Sequence, residues 1–599
     1  MKRFTSLIFI LFAFPVLLFS QWKKDDFLTP FEESDYLTTP RFKETMEYFH
    51  KMAKVSKWIH LTSIGITPEG RNIPLIIVSK DSRDFNFRGA QNSGKAIILI
   101  QSGIHAGEID GKDATMMLVR DMCITKEKDF LLDKTVLLFL PIFNLDGHER
   151  FGKFNRINQN GPVEMGWRTT SQNINLNRDY MKADTPEMRA WLKLYSAWLP
   201  DFFVDCHVTD GADYQHVLTY SMNTSELLPA PVRTWVNNFF LPSIRREMDK
   251  AGLPLSPYVF MKTDRNIYNG LTAGVAPPRF STEYVVLQNR PGLLIETHML
   301  KDYKSRVFGT YTLLENIIRT ISANTSMLRL AVRTADEETK IMGDTANGTQ
   351  NIPLTFSLNT DSTHDSIFFR GYTFKEEHSD ISNDTWIQYT DAPFEKNIPW
   401  YTITKPASVV SLPKYYIIPR QWRSVLDVLD AHGIAYVHLT KETAIEAERY
   451  TFTNPKWNER PYEGRHPMSF ELKKETIKKI FASGSVVVPL NVRNAKVIVG
   501  LLEPSAPDAL VRWGFFDAIF EQKEYGEDYV LEKLAREMLK DNSPLKKEFD
   551  EKLKSDSAFA KNSYERLNFF YQRSTYWDEQ KDVYPIVRIV EKIQLPLGK

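Results

Sequence analysis

Two histidines and two glutamates, far apart in the chain, are the residues best suited to chemistry. His105 and Glu108 lie three apart in QSGIHAGEID (101–110). A neutral imidazole and a carboxylate at that spacing, just past a strand end, are good Zn²⁺ ligands. A third ligand is expected from another strand end, and His207 closes the apolar run DFFVDCHV. Three protein ligands and one open position define a catalytic rather than a structural zinc, and the metal lowers the pKa of a water held there to about 7. Glu296 ends the apolar run in GLLIETH. Burial and a nearby metal can tune its pKa for moving that water's proton, so Glu296 is the candidate base. His298, two residues on, shares its face and is at most a supporting polar residue.

The elements that must hold these groups are legible as apolar runs. AIILI (96–100), LLFLPIF, DFFVDCHV and GLLIETH read as strands buried on both faces, the pattern of a parallel sheet. Each delivers a polar, chemistry-capable residue at the same end, and sites in open α/β sheets assemble at the carboxyl ends of strands. GKDATMMLVRDM, TPEMRAWLKLYSAWL (185–199) and the long run that starts YKSRVFGTY have helical periodicity. Thr185 with Pro186 supplies an N-cap and first-turn signal. Upstream, a helical pattern over TPRFKETMEYFHKMAKVSKWIHLTSIG precedes two strands around the turn TPEGRN.

The order H-x-x-E, W-R, N-R, H, E resembles the zinc carboxypeptidase family, the carboxypeptidase A-like peptidases. Here it reads His105 to Glu108, Trp167-Arg168, Asn177-Arg178, His207 and Glu296. The resemblance spans about residues 42–321. It implies one Zn²⁺ held by His105, Glu108 and His207, with Glu296 as general acid/base. It also implies that Arg168 stabilises the oxyanion of the scissile carbonyl, with Arg150 and Arg156 as nearby competitors for that role. Asn177 and Arg178 would bind the free C-terminal carboxylate of a peptide, an arginine fork being suited to a carboxylate. Two departures bear on that pocket. Asp179 follows Arg178 and could partly neutralise it, and Gly107 stands where some relatives carry an arginine that grips substrate. The family's mobile tyrosine matches Tyr284, with Tyr268 as the other candidate, and YNGLTAGVAPPRF suits a pocket rim.

Composition sets limits. At 599 residues, 42% hydrophobic and 25% charged, the chain is globular, and a formal net charge of +1 gives no basic excess for nucleic acid. Lys2-Arg3 followed by an apolar stretch to Phe19 and the small Ser20 reads as a secretory signal over 1–20, which places the mature protein in the periplasm or outside the cell, with no stable membrane anchor. Two cysteines, Cys123 and Cys206, make no disulfide framework and read as buried thiols, although a bridge between them remains open.

The expected organisation is a mixed, largely parallel α/β catalytic domain over 21–330, a β-rich module over 331–415, resembling a small sandwich, and an α/β and helical region over 416–599. SGSVVVPLNVRNAKVIVGLLEP reads as strand, and His432 as a helix C-terminal residue beside the dipole. No phosphate, nucleotide or metal motif marks the second half. The expected activity is that of a secreted metallocarboxypeptidase. The alternatives are a zinc amidase or deacylase acting on cell-wall peptides or other amides, and a binding module with a decayed site.

Overall fold

The structure, a computed structural model, describes residues 22–598 apart from 210, 264, 362 and 541. The expected signal segment lies outside the described residues. Ile59–Ile66 (β1) and Asn72–Val78 (β2) form the anticipated hairpin. Ala96–Ser102 (β3), Thr135–Leu140 (β4), Phe202–Thr209 (β5), Leu218–Met222 (β6) and Ser256–Pro257 (β7) follow. Phe260–Met261 (β8) and Leu271–Thr272 (β9) leave that sheet, and Gly292–His298 (β10) returns to it. The result is one eight-stranded sheet in the order β1-β2-β4-β3-β5-β10-β6-β7. Its centre, β4 to β3 to β5 to β10, is parallel, and β2 and β6 flank that centre antiparallel.

Every residue of β3, β4 and β5 is buried, which is why their sequences show apolar runs and no alternation. The period of two still sorts their side chains. Ile98, Ile100, Val204 and Ile295 pack with the helices Phe42–Val55, Asp110–Cys123 and Tyr303–Ala323. Ile97, Leu99 and Phe203 pack on the other face against Trp191 and Tyr284, from the helices Pro186–Trp198 and Ser281–Leu287. Thr185 caps its helix as expected, its side chain accepting from Met188 N–H. The parallel centre therefore has helices on both faces, and its carboxyl edge is the only place where these strands can present polar groups to a site.

The second half departs from the expected boundaries. Residue 330 falls inside the helix Thr325–Thr345. Asn351–Leu358 (β11), Asp365–His378 (β12), Thr385–Tyr401 (β13) and Thr404–Ser411 (β14) do not make a separate sandwich. β11 pairs only with β14, while β12 and β13 continue into β9 and β8 from the catalytic half. Tyr415–Ile418 (β15), Val437–Leu439 (β16), Thr443–Trp457 (β17), Met468–Phe481 (β18), Val486–Pro489 (β19), Val587–Ile589 (β20) and Leu597–Gly598 (β21) form a seven-stranded sheet in the order β18-β17-β20-β15-β19-β16-β21. Within SGSVVVPLNVRNAKVIVGLLEP only Val486–Pro489 is strand. Ala495–Leu502 is a helix buried at every position but Lys496, which is why all the rest of it is apolar.

One continuous apolar core joins the halves: Val425, Leu429, Val488 and Ile498 belong to the same cluster as Trp191, Leu99 and Phe203. His432 is the expected helix cap, but burial pushes its pKa down to about 4, so it carries no charge for the dipole. Its ring instead ties the halves together, Nε2 at 3.0 Å from Met181 O and Nδ1 at 2.8 Å from Tyr284 Oη.

Candidate metal centre

β3 ends at Ser102, and a tight loop runs to the helix that starts at Asp110. Gly103 takes φ +66° there, which turns the chain across the sheet edge. This loop brings His105 and Glu108 beside His207, which sits near the end of β5. One ligand atom from each of His105, Glu108 and His207 lies within 4.8 Å of the other two, and all three residues are buried. His105 Nδ1 is 3.2 Å from Glu108 Oε1, and His207 Nδ1 is 3.0 Å from Glu108 Oε2. The two Nδ1 atoms face each other at 3.2 Å. Two imidazole nitrogens and a carboxylate converging on one point form a donor set that suits Zn²⁺, so the residues fit the metal.

Neighbouring groups fix both rings. His207 Nε2–H donates to Asp205 Oδ2 at 2.9 Å, which fixes the ring with Nδ1 turned toward the centre. Asp205 is itself held by Gln101 Nε2 at 3.0 Å. His105 Nε2 lies 3.2 Å from Asn175 Oδ1. Burial pushes His105 down to about 4, which keeps that imidazole neutral. Burial opposes a charge on His207 too, yet Asp205 and Glu108 hold its pKa well above the ordinary value. Burial would raise Glu108, but His105 and Arg156 outweigh it and the carboxyl stays ionised. Val208 N–H also donates to Glu108 Oε2 at 3.1 Å.

Glu296 stands opposite His207 in the parallel register of β10 on β5, so its side chain leaves the same face of the sheet one strand over. It is buried, and its charge is felt at His207. Cys206 points to the other face, against Gly111, and both cysteines are free. His298 turns away to Asp213 at 3.1 Å.

Arg168 places Nη1 3.2 Å from Glu108 Oε1 with its side chain 40% exposed, so it borders both the metal ligands and solvent. Arg156, named from the sequence only as a competitor, reaches the same oxygen at 2.7 Å. It packs on Gly107, where an added Cβ would fall 2.8 Å from Arg156 Cγ, so no side chain fits at 107. Arg150 is elsewhere, over the Trp167 ring at 4.3 Å.

Asn177 Oδ1 accepts from Ser281 N–H at 3.0 Å, and the Arg178 guanidinium lies 3.8 Å over the Phe280 ring. Burial lowers the Arg178 pKa and the nearby Arg168 lowers it further, while Tyr462 and Glu463 favour its charge. Asp179 does not neutralise Arg178. It turns inward to Lys182 Nζ at 2.6 Å and to Thr185.

Tyr284 is not brought to the site. The run expected as strand is the helix Ser281–Leu287, and the ring is packed among Tyr180, Trp191 and Tyr195. Its hydroxyl is taken by His432 and Gln288. The substrate-binding role expected for it gives way to packing. Tyr268, the other candidate, stacks on Phe374.

Sequence reasoning missed Asp205, Asn175, Tyr462 and Glu463. Strand alternation alone puts Asp205 on the face of His207, so that signal was available. Asn175 and the residues of the second half sit in loops whose polar side chains carry no such signal.

Residues 45–214 match the family model described as Zinc carboxypeptidase. Carboxypeptidase 2 of Trichophyton rubrum is 22% identical over 84% of this chain and 90% of its own length. Carboxypeptidase 2 of Trichophyton tonsurans is 21% identical over 80% and 85%. Among solved structures, a metallo-carboxypeptidase from Burkholderia cenocepacia is 17% identical, covering 48% of this chain and 70% of its own at a TM-score of 0.35. The matched stretch, 45–214, contains all three residues that converge at the sheet edge, His105, Glu108 and His207.

Proposed function

We propose that the protein is a secreted metallocarboxypeptidase that binds one Zn²⁺ and hydrolyses the last peptide bond of a chain with a free carboxylate. His105, Glu108 and His207 hold the metal, which when bound supplies a Lewis acid and an acidified water. Glu296 accepts the proton of that water and returns it to the leaving amine, the work of a buried carboxylate beside a cation. Arg168, half-exposed beside Glu108, donates to the carbonyl oxygen as it gains charge. Asn177 and Arg178 orient the chain end, the planar guanidinium taking both carboxylate oxygens.

One observation carries this reading. Arg168 reaches Glu108 Oε1 at 3.2 Å and also lies near Arg178, whose pKa it helps to lower, so two guanidinium groups stand close together beside the three converging residues. A peptide terminus offers two negative sites to such a pair, the oxyanion of the reacting carbonyl and the terminal carboxylate. The signal-like sequence of residues 1–20 supports export to the periplasm or beyond.

The test uses the purified protein with matched peptides, C-terminally free and C-terminally amidated, with and without a chelator. Release of the last residue from the free peptide only, abolished by chelator and restored by Zn²⁺, is the expected result. Equal turnover of the amidated peptide would move the assignment to an amidase.

A further inference from the structure

β17 and β18 form a long hairpin, and its tip, 458–467, crosses from the second half to the mouth of the metal centre. Glu463 Oε2 accepts from Asn175 N–H at 2.8 Å, and Asn175 is the residue that meets His105. Arg465 grips Asp184 with two hydrogen bonds of 2.7 Å and donates to Trp513 O at 2.9 Å. Gly464 lies against Ile174, and Tyr462 stacks on Trp513 with ring centroids 6.0 Å apart. The tip is thus pinned at both ends of its turn. Glu463 itself sits at φ +51°, a left-handed conformation that a non-glycine residue adopts under constraint and that clusters at functional positions.

What the tip presents is chemistry rather than packing. Tyr462 and Glu463 are the two groups that favour the charge of Arg178 against its burial, and Phe280 closes the other side of that guanidinium. Tyr462 remains 37% exposed, so the wall it makes faces solvent and whatever binds there. A terminal residue whose carboxylate met Arg178 would carry its side chain past this wall.

We propose that the hairpin tip is a wall of the substrate pocket, and that Glu463 sets the charge preference for the terminal residue, favouring a cationic side chain and disfavouring an anionic one. This rests on the reading of Arg178 as the carboxylate-binding residue. A terminal lysine or arginine side chain gains a carboxylate partner beside Arg178. A terminal glutamate or aspartate is repelled by it, and a charge pair at a partly exposed site shifts each binding event by up to about fivefold.

The experiment measures kcat/KM of the full-length zinc-loaded protein for N-blocked dipeptides ending in Lys, Leu or Glu. Glu463→Gln keeps an oxygen for Asn175 N–H and removes the charge. The Lys-to-Glu ratio, with the Leu substrate as reference, is expected to fall about tenfold in Glu463→Gln. Glu463→Asp is expected to keep the wild-type preference. A ratio within twofold of wild type in Glu463→Gln, while the wild type turns over all three, would overturn the role of the tip alone. An equal loss on all three substrates in both variants, with weaker zinc retention, would make Glu463 a support for Asn175 only and likewise overturn it. No turnover of any of the three by the wild type would overturn the carboxypeptidase reading and this inference together.

Discussion

The two large sheets of this protein place their functional groups in opposite ways. In the eight-stranded sheet the central strands are buried at every position but Leu294, and the candidate chemistry gathers toward their carboxyl ends, at His207 and Glu296 and in the loop after β3. In the seven-stranded sheet, β17 and β18 are fifteen and fourteen residues long and largely half-exposed or exposed, and their functional contribution comes from the turn between them. Burial on both faces leaves a polar side chain no tolerated place except the edge, so a histidine or glutamate there has a chemical reason. A half-exposed hairpin tolerates polar residues everywhere, and its tip is free to be shaped by whatever it touches.

The sharpest break of this comparison removes Glu296, the proposed base at the strand end. Glu296→Gln should lower kcat by about 10³-fold, the scale of a lost general base, while zinc content by atomic absorption stays at the wild-type value. Retention of more than a tenth of the activity would mean that another group moves the proton.

Next in size is the residue behind the metal ligand. Asp205→Asn keeps the shape but offers His207 Nε2–H a weaker acceptor or a competing donor. Competition with a chromogenic chelator should show zinc affinity falling by about 10- to 100-fold. An unchanged affinity would show that packing alone orients the ring.

A smaller effect probes the tip. Arg465→Ala cuts the two hydrogen bonds to Asp184 and frees the turn that carries Glu463. The pair is partly exposed, so the expected change is a rise in KM of about three- to fivefold with kcat nearly constant. A fall in kcat with constant KM would show instead that the tip acts on the metal centre through Asn175.

The same contrast explains what was legible in the sequence. Glu108, His207 and Glu296 stand out because the apolar runs that lead to them have no other use for charge. The Trp167-Arg168 pairing singles out Arg168 in the sequence, and only the fold shows Arg156 on the same Glu108 Oε1. Tyr284 misleads because YVVL is apolar in either conformation and the choice of helix is made by its packing on Trp191 and Tyr195. The β-rich stretch reads as a separate module because nothing in β8 and β9, two residues each, signals that they extend β12 and β13. Tyr462 and Glu463 carry no spacing at all relative to the catalytic motifs, more than 160 positions past Glu296.

The effect furthest from the metal centre, read in stability and not in turnover, lies on the seam between the two regions. Glu283, on the helix Ser281–Leu287, lines a cavity of about 180 Å³ shared with Leu354 and Phe356 of β11. Burial raises its pKa from 4.5 to about 7, and a hydrogen bond from Asn223 Nδ2 only partly opposes that. A carboxyl whose folded pKa lies above its unfolded value is bound more tightly to its proton in the folded state. Stability from this group is therefore full below pH 4.5 and declines as pH rises toward about 7. It is flat beyond that, and the whole decline is on the order of 3 kcal/mol. Glu283→Gln removes the titration and keeps the shape. The variant's melting temperature should match the wild type's near pH 4.5 and exceed it by a few degrees at pH 8. A difference that does not grow with pH would mean that the carboxyl keeps its ordinary pKa. The seam would then be wet, and the two regions less firmly joined there than their common core implies.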